Sequence, residues 1–142
     1  MRFRSLFRSR SLEKILRENP NGVLATRNGD GVATRIFQFL FMEDGNKVYF
    51  CTESDKPVYR QLTANPKVSF CTSAKDWNPV LSLDGGAVFV DDMALKRRTL
   101  EEYPLIRDIF KTADNPLFKL FYLEVQEIHT FSFAEGAKLS KP

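Results

Sequence analysis

Histidine occurs once in the 142 residues, at His129, and cysteine twice, at Cys51 and Cys71. A lone imidazole excludes a histidine metal cluster, and two cysteines without metal-type spacing give no zinc signature. Both cysteines fall in expected strands and read as small buried residues of a reducing compartment, which points to a cytoplasmic location. No stretch approaches the roughly 18 consecutive apolar residues of a transmembrane helix. No G-x-S-x-G elbow presents a serine nucleophile, and no G-x-G-x-x-G follows a strand. Internal repeats and low-complexity segments are absent. The acid pairs Asp91-Asp92 and Glu101-Glu102 sit at helix positions and read as solvated faces. His129 lies in the last expected strand, more in keeping with a structural than a catalytic histidine.

What is present is a chain of single-domain length. Its apolar content of 43% is ordinary for a protein that buries a core. Thirteen phenylalanines are a rich supply and suggest a β-heavy core or a buried interface. The formal charge of +3 is unevenly spread. Residues 1–17 hold six basic residues against Glu13 alone, a net +5, and the remainder holds fifteen against seventeen acids, a net −2. The surplus is therefore a basic arm over residues 1–10. Its opening, MRFRSLFRSRS, lacks the apolar centre of a secretory signal. Its Arg and Ser content has a faint presequence character, and basic arms can touch nucleic acid or anionic membranes. With no recognition module beside it, the arm is read as a solvated extension, with neither nucleic acid nor membrane as partner.

The single domain is expected over 11–134. A helix over 11–19 carries Leu12, Ile15 and Leu16 on one stripe. Strands follow over 23–27 and 32–42, joined by Asn28-Gly29-Asp30-Gly31, whose glycines can take positive φ. The end of the second strand, IFQFLFM, is apolar on both faces and should be buried on both sides, an excess that a dimer would cover. Further strands are expected over 47–52, 67–72, 80–90, 117–125 and 128–133. Gly85-Gly86 marks a bulge, a bend or a close approach within the 80–90 strand. Asp91-Asp92 caps a helix near 93–103, and Pro104 opens another helical turn. Residues 135–142 read as a loose polar tail. Six or seven short strands, mostly in hairpins, describe a mainly β protein, an antiparallel barrel with a few helices.

The stretch KVYFCTESDKPVYRQLTANP, residues 47–66, carries the strongest chemical suggestion. A strand runs into a polar turn, where Ser54 or Asp55 can cap a helix that has Pro57 in its first turn. Asn65-Pro66 ends that helix. Free N–H groups at a helix start favour an anion, and Thr52, Ser54 and Lys56 add two hydroxyls and a cation. The same stretch also reads as an ordinary capped helix with a surface lysine. A phosphate site without an acid–base or nucleophile set points to a borrowed cofactor that carries the chemistry.

The order of these signals resembles the pyridoxamine 5′-phosphate oxidase-like family of FMN-binding split barrels, especially its small bacterial members. The resemblance rests on GVLATRNGDGVATRIFQF, VYFCTESDKPVYRQLTANPKVSF, LSLDGGAVFVDD and ADNPLFKLFYLE, and spans roughly residues 12–133. It implies a Greek-key split barrel of six or seven strands that dimerises, with FMN in a groove between subunits. By the same resemblance, Arg35 and Lys56 meet the phosphate, with Ser54 at the same helix start. The backbone of Ile36, Phe37 and Gln38 runs along the isoalloxazine, and Cys51 and Thr52 take ring and phosphate-side positions. Trp77 and Asn78 are the candidates to reach the flavin from the partner subunit.

Two departures qualify what the resemblance implies. Asp55 stands where many members carry a second basic residue, and would repel phosphate unless it turns away to cap the helix. The C-terminal Arg and His that hold the pyridoxal substrate of true pyridoxamine phosphate oxidases have no counterpart. The expectation is therefore a homodimeric FMN-dependent oxidoreductase of a small-molecule redox substrate, not a vitamin B6 oxidase. Two alternatives stay open: a non-catalytic flavin carrier or sensor, and a split barrel holding haem, with His129 as a ligand, or a deazaflavin.

Overall fold

The computed structural model describes residues 11–142; the expected basic arm over 1–10 lies outside them. A helix, α1 (residues 11–18), buries Leu12 and Leu16 and leaves an exposed Glu13–Arg17 pair at 2.9 Å on its other side. Asn19 ends it: its N–H and its side-chain amide both donate to the Ile15 carbonyl. The strands are β1 (Asn21–Asn28), β2 (Gly31–Gln38), β3 (Met42–Glu43) and β4 (Lys47–Glu53), then β5 (Lys67–Ser73), β6 (Val80–Val90), β7 (Phe118–Ser132) and β8 (Gly136–Ser140). Helices α2 (Pro57–Ala64), α3 (Met93–Glu102) and α4 (Pro104–Phe110) lie between strands, with a 3₁₀ turn at Lys75–Trp77. Among the described residues no helix is long and apolar enough to cross a membrane.

All pairings are antiparallel, in the order β2-β1-β5-β6-β7-β4-β3, with β8 on β7. The expected mainly β class holds, and the strand count differs for identifiable reasons. The two strands expected over 117–125 and 128–133 are one, β7, continuous through an extra residue, Gln126, where the β6–β7 register shifts at Asp84/Gly85. The expected loose tail instead forms β8, paired with β7 from Ile128 to Ser132. Backbone ladders recruit polar residues such as Lys138 as readily as apolar ones.

The β1–β2 hairpin turns at Gly29, whose φ of +60° suits the first position of a tight primed turn. The second expected strand ends early, at Gln38. Residues 39–41 leave β1: the Phe39 N–H donates to Pro20, the Leu40 N–H to Tyr49, and Phe41 accepts from Tyr49. Phe39, Leu40 and Phe41 are all buried, Phe39 in the barrel and the other two in a separate cluster beneath α3 and α4. Both-sided burial of residues 39–41 is thus met within one chain, and of the apolar residues in the IFQFLFM run Ile36 alone stays largely exposed.

The two sheet edges, β2 and β3, are consecutive in sequence. Three residues join them, yet no ladder links β2 to β4, and the barrel stays split along that line. Its interior is aromatic: Phe50 packs on Phe37, Phe70 and Phe121 with ring centroids 4.8–5.9 Å apart. The phenylalanine excess therefore lies largely in the core. On the outer layer, Asp92 caps α3 by accepting from the Leu95 N–H, while Asp91 pairs with the buried Lys96 at 3.3 Å.

Glycine is required at Gly85. A Cβ there would sit 2.0 Å from the Glu124 carbonyl oxygen, backbone that cannot swing aside, whereas a Cβ at Gly86 meets nothing within 4 Å. Gly85→Ala should lower the unfolding free energy by about 1–3 kcal/mol, as overpacking does. Gly86→Ala should change it by less than about 0.5 kcal/mol. Urea unfolding of the two variants side by side checks the pair.

Candidate functional site

A cleft of about 360 Å³ opens where the barrel is split. Its walls are the outer end of β2 (Arg35–Gln38), the last residues of β4 (Cys51–Glu53), the start of α2 (Lys56 and Val58) and α4 (Ile106, Ile109 and Phe110). One end carries charge and the rest is apolar.

The polar end is organised by Arg35. It pairs with Leu24 across the β1–β2 ladder, and its side chain is half-buried. One guanidinium nitrogen donates to the Leu24 carbonyl and the Thr26 hydroxyl, each at 3.0 Å; the other donates to Gln61 Oε1 at 2.6 Å. Thr26 in turn donates to Gln61 Oε1 at 2.7 Å. Every acceptor is neutral, and among the described residues no carboxylate lies within 4.0 Å of Arg35. Burial lowers its pKa from the ordinary value, but a guanidinium stays protonated. Three of its five N–H donors are engaged, which leaves Nε and one terminal hydrogen for a ligand. A half-buried, fixed cation without a counter-ion favours an anion.

Lys56, the second cation, has Glu53 Oε1 at 3.6 Å. It occupies the N-cap of α2, and no side chain caps that helix. The expected cap by Ser54 or Asp55 is therefore not made. Ser54 is tied elsewhere: its N–H donates to Leu117 and its hydroxyl reaches Pro116, at the approach to β7. Asp55 is exposed and does not line the cleft, so the carboxylate at its polar end is Glu53 instead.

Of the residues singled out from the sequence, Arg35, Ile36, Phe37, Gln38, Cys51, Thr52 and Lys56 share this cleft, and Ser54 lies just outside it. Trp77 and Asn78 are elsewhere on the same chain. Trp77 lies tilted against Phe133 with ring centroids 5.8 Å apart, and Asn78 lines a separate hollow with Phe131 and Ser132. His129 lies on the outer sheet face, 3.1 Å from Asp84. Sequence reasoning missed Gln61 and the α4 wall; Pro104 marked a helical turn, but not what Ile106, Ile109 and Phe110 face. Ile36 and Ile109 remain 66% and 60% exposed at the cleft mouth. Among the described residues no group of His, Cys, Asp and Glu could hold a metal ion.

The cysteines differ. Cys71, expected to be buried, points outward from β5, because inward positions alternate and belong to Phe70 and Thr72. Cys51 is packed against the cluster under α4, and burial pushes its thiol pKa up to about 12. A raised thiol pKa keeps Cys51 protonated at neutral pH and slow to alkylate. Iodoacetamide at pH 8 should modify Cys51 only slowly in the folded protein, with its reactivity still rising about tenfold per pH unit above pH 9, as expected below a thiol's pKa. Peptide mass spectrometry over a pH series reads the site.

A search of curated proteins returned no sequence match. Solved structures are similar over nearly the whole chain. A NimC/NimA family protein from Clostridium acetobutylicum aligns at 26% identity and a TM-score of 0.82, covering 94% of this chain and 90% of its own. PhzG from Burkholderia lata 383, solved with tetrahydrophenazine-1-carboxylic acid, aligns at 17% identity and 0.69, covering 100% and 92%. A haem-binding protein from Mycobacterium smegmatis aligns at 18% identity and 0.74, covering 94% and 57%. The last two share the fold. The sequence profile described as pyridoxamine 5′-phosphate oxidase matches residues 9–132, most of the chain. With the split barrel and its cleft in place, that match assigns the chain to the pyridoxamine 5′-phosphate oxidase family.

Proposed function

We propose that the cleft holds FMN and that the protein is a small flavin-dependent oxidoreductase. The observation that carries this reading is Arg35, a fixed guanidinium among neutral acceptors at the charged end of an otherwise apolar cleft. That polarity matches a mononucleotide with a phosphate at one end and a planar, largely apolar ring at the other. Arg35 and Lys56 would hold the phosphate. The Ile36–Gln38 segment and the α4 residues Ile109 and Phe110 would flank the ring, with Cys51 and Thr52 beneath it. Among the described residues β2 pairs only with β1, so the other side of its backbone has N–H and C=O groups to offer the ring edge. Bound FMN would supply hydride or electron transfer; the chain's contribution is binding, orientation and exclusion of water.

A second copy would complete the site. Val23, Ile36 and Cys71 form one exposed row across β1, β2 and β5, on a sheet face that no helix covers. A homodimer through that face would bury Ile36 and could bring Trp77 and Asn78 of one copy to the other's cleft. A haem reading is less well supported. The one histidine lies outside the cleft, and the raised pKa of Cys51 disfavours the thiolate that would ligate iron.

FMN added to the purified protein should co-elute in gel filtration with its flavin bands. The Arg35→Ala, Lys56→Ala double variant should bind it at least about 100-fold more weakly, since hydrogen bonds to charged groups contribute about 1.5–3 kcal/mol each. Equal retention by the variant would remove these residues from the site. Sedimentation equilibrium should give a dimer, and a monomer at high concentration would count against the shared groove.

A further inference from the structure

Behind Gln61, on the side away from Arg35, lies a second groove of about 530 Å³. One wall is a single face of α2, with Pro57, Arg60, Gln61 and Ala64 at positions three, four and seven apart. The other wall is the tip of the β1–β2 hairpin, Arg27 to Gly29. The small side chain of Ala64 leaves the floor open. No acid lines this groove, and neither Arg27 nor Arg60 has a carboxylate within 4.0 Å among the described residues. Arg27 makes a long side-chain hydrogen bond to the Gly29 carbonyl, at 3.4 Å. Two exposed guanidiniums thus face one hollow with amide side chains between them, an arrangement suited to phosphate or carboxylate oxygens.

The two depressions adjoin: no residue lines both, and Gln61 and the Lys56–Pro57 link stand between them. Gln61 lines the groove while its Oε1 accepts from Arg35, and Pro57 of the groove follows Lys56 of the cleft. Along α2 the groove lies one turn beyond Lys56, with Arg60 four residues further on. We infer that this groove is a second anion subsite for the same ligand, so that the chain accepts a flavin whose phosphate carries a further anionic group. This rests on the flavin reading of the cleft. Arg35 and Lys56 hold the first phosphate, and Arg27 and Arg60 hold the second. FAD, whose diphosphate supplies the second charge, is the probe.

Binding of FMN and FAD, followed by quenching of flavin fluorescence, tests this in the wild type, in Arg27→Ala, Arg60→Ala, and in Arg35→Ala. Both arginines of the first variant are exposed, so its melting curve should match the wild type. The wild type should bind FAD as tightly as FMN or more so. The first variant should lose tenfold or more in FAD affinity and less than twofold in FMN affinity, while Arg35→Ala should weaken both flavins alike. Retention of FMN without FAD by the wild type would overturn the second subsite and leave the first standing. Equal loss of both flavins in Arg27→Ala, Arg60→Ala would reduce the pair to a general positive field, and an unchanged FAD affinity would exclude them. Failure of the wild type to bind either flavin would overturn the cleft reading and this one together.

Discussion

A half-buried guanidinium held by three neutral oxygens sets the terms for the candidate site. Desolvation works against the charge of Arg35, and the contacts from Leu24, Thr26 and Gln61 return only part of the hydration it loses. An anion would restore the balance, and Nε and one terminal N–H of Arg35 are unengaged to meet it. Geometry on this scale depends on the whole β1–β2 hairpin. A one-residue slip in that ladder would turn Arg35 to the opposite face and break all three contacts at once. Gly29 holds the register at one end of the hairpin and the Asn21–Gln38 pair closes the other.

The cleft exists because the barrel does not close. Residues 39–41 carry the chain from one sheet edge to the other, and their side chains divide between two cores. Phe39 fills the barrel, while Leu40 and Phe41 anchor the α3–α4 layer. Pinning these residues holds β2 and β4 apart at the distance the cleft requires. The same step brings α4 to the cleft mouth, since Ile106 and Phe110 share a cluster with Leu40 and Phe41. Charged end and apolar wall therefore come from two separate cores, joined by one short crossing.

Much of this architecture was legible in the sequence because it is local. The strand expected over 47–52, the turn at Gly29, Pro57 at a helix start and Asn65-Pro66 at its end each follow from a few neighbouring residues. Gly85 could be recognised as a special position, although only the partner strand identifies the Glu124 carbonyl as the cause. What stayed hidden is long-range. β8 is polar and has no strand-like alternation of its own; pairing with β7 makes it a strand. Ser54 looked like a helix cap and is instead bound near Pro116 and Leu117, more than sixty residues away in sequence. The importance of Gln61 depends on α2 packing over β1, which no feature near residue 61 announces. Lys56 was already marked by its place at a helix start, Arg35 was named through family resemblance, and the structure adds the reason Arg35 matters, its neutral surroundings.

The central claim is that the charged end of the cleft binds a phosphate and thereby selects the ligand. Titration calorimetry of the wild-type protein with FMN and with riboflavin, which differ by that phosphate alone, addresses it most directly. Two charge-assisted contacts of about 1.5–3 kcal/mol each predict that FMN binds at least about 100-fold more tightly than riboflavin. Equal affinity for the two would mean that Arg35 and Lys56 do not face a ligand phosphate, and the claim would fail.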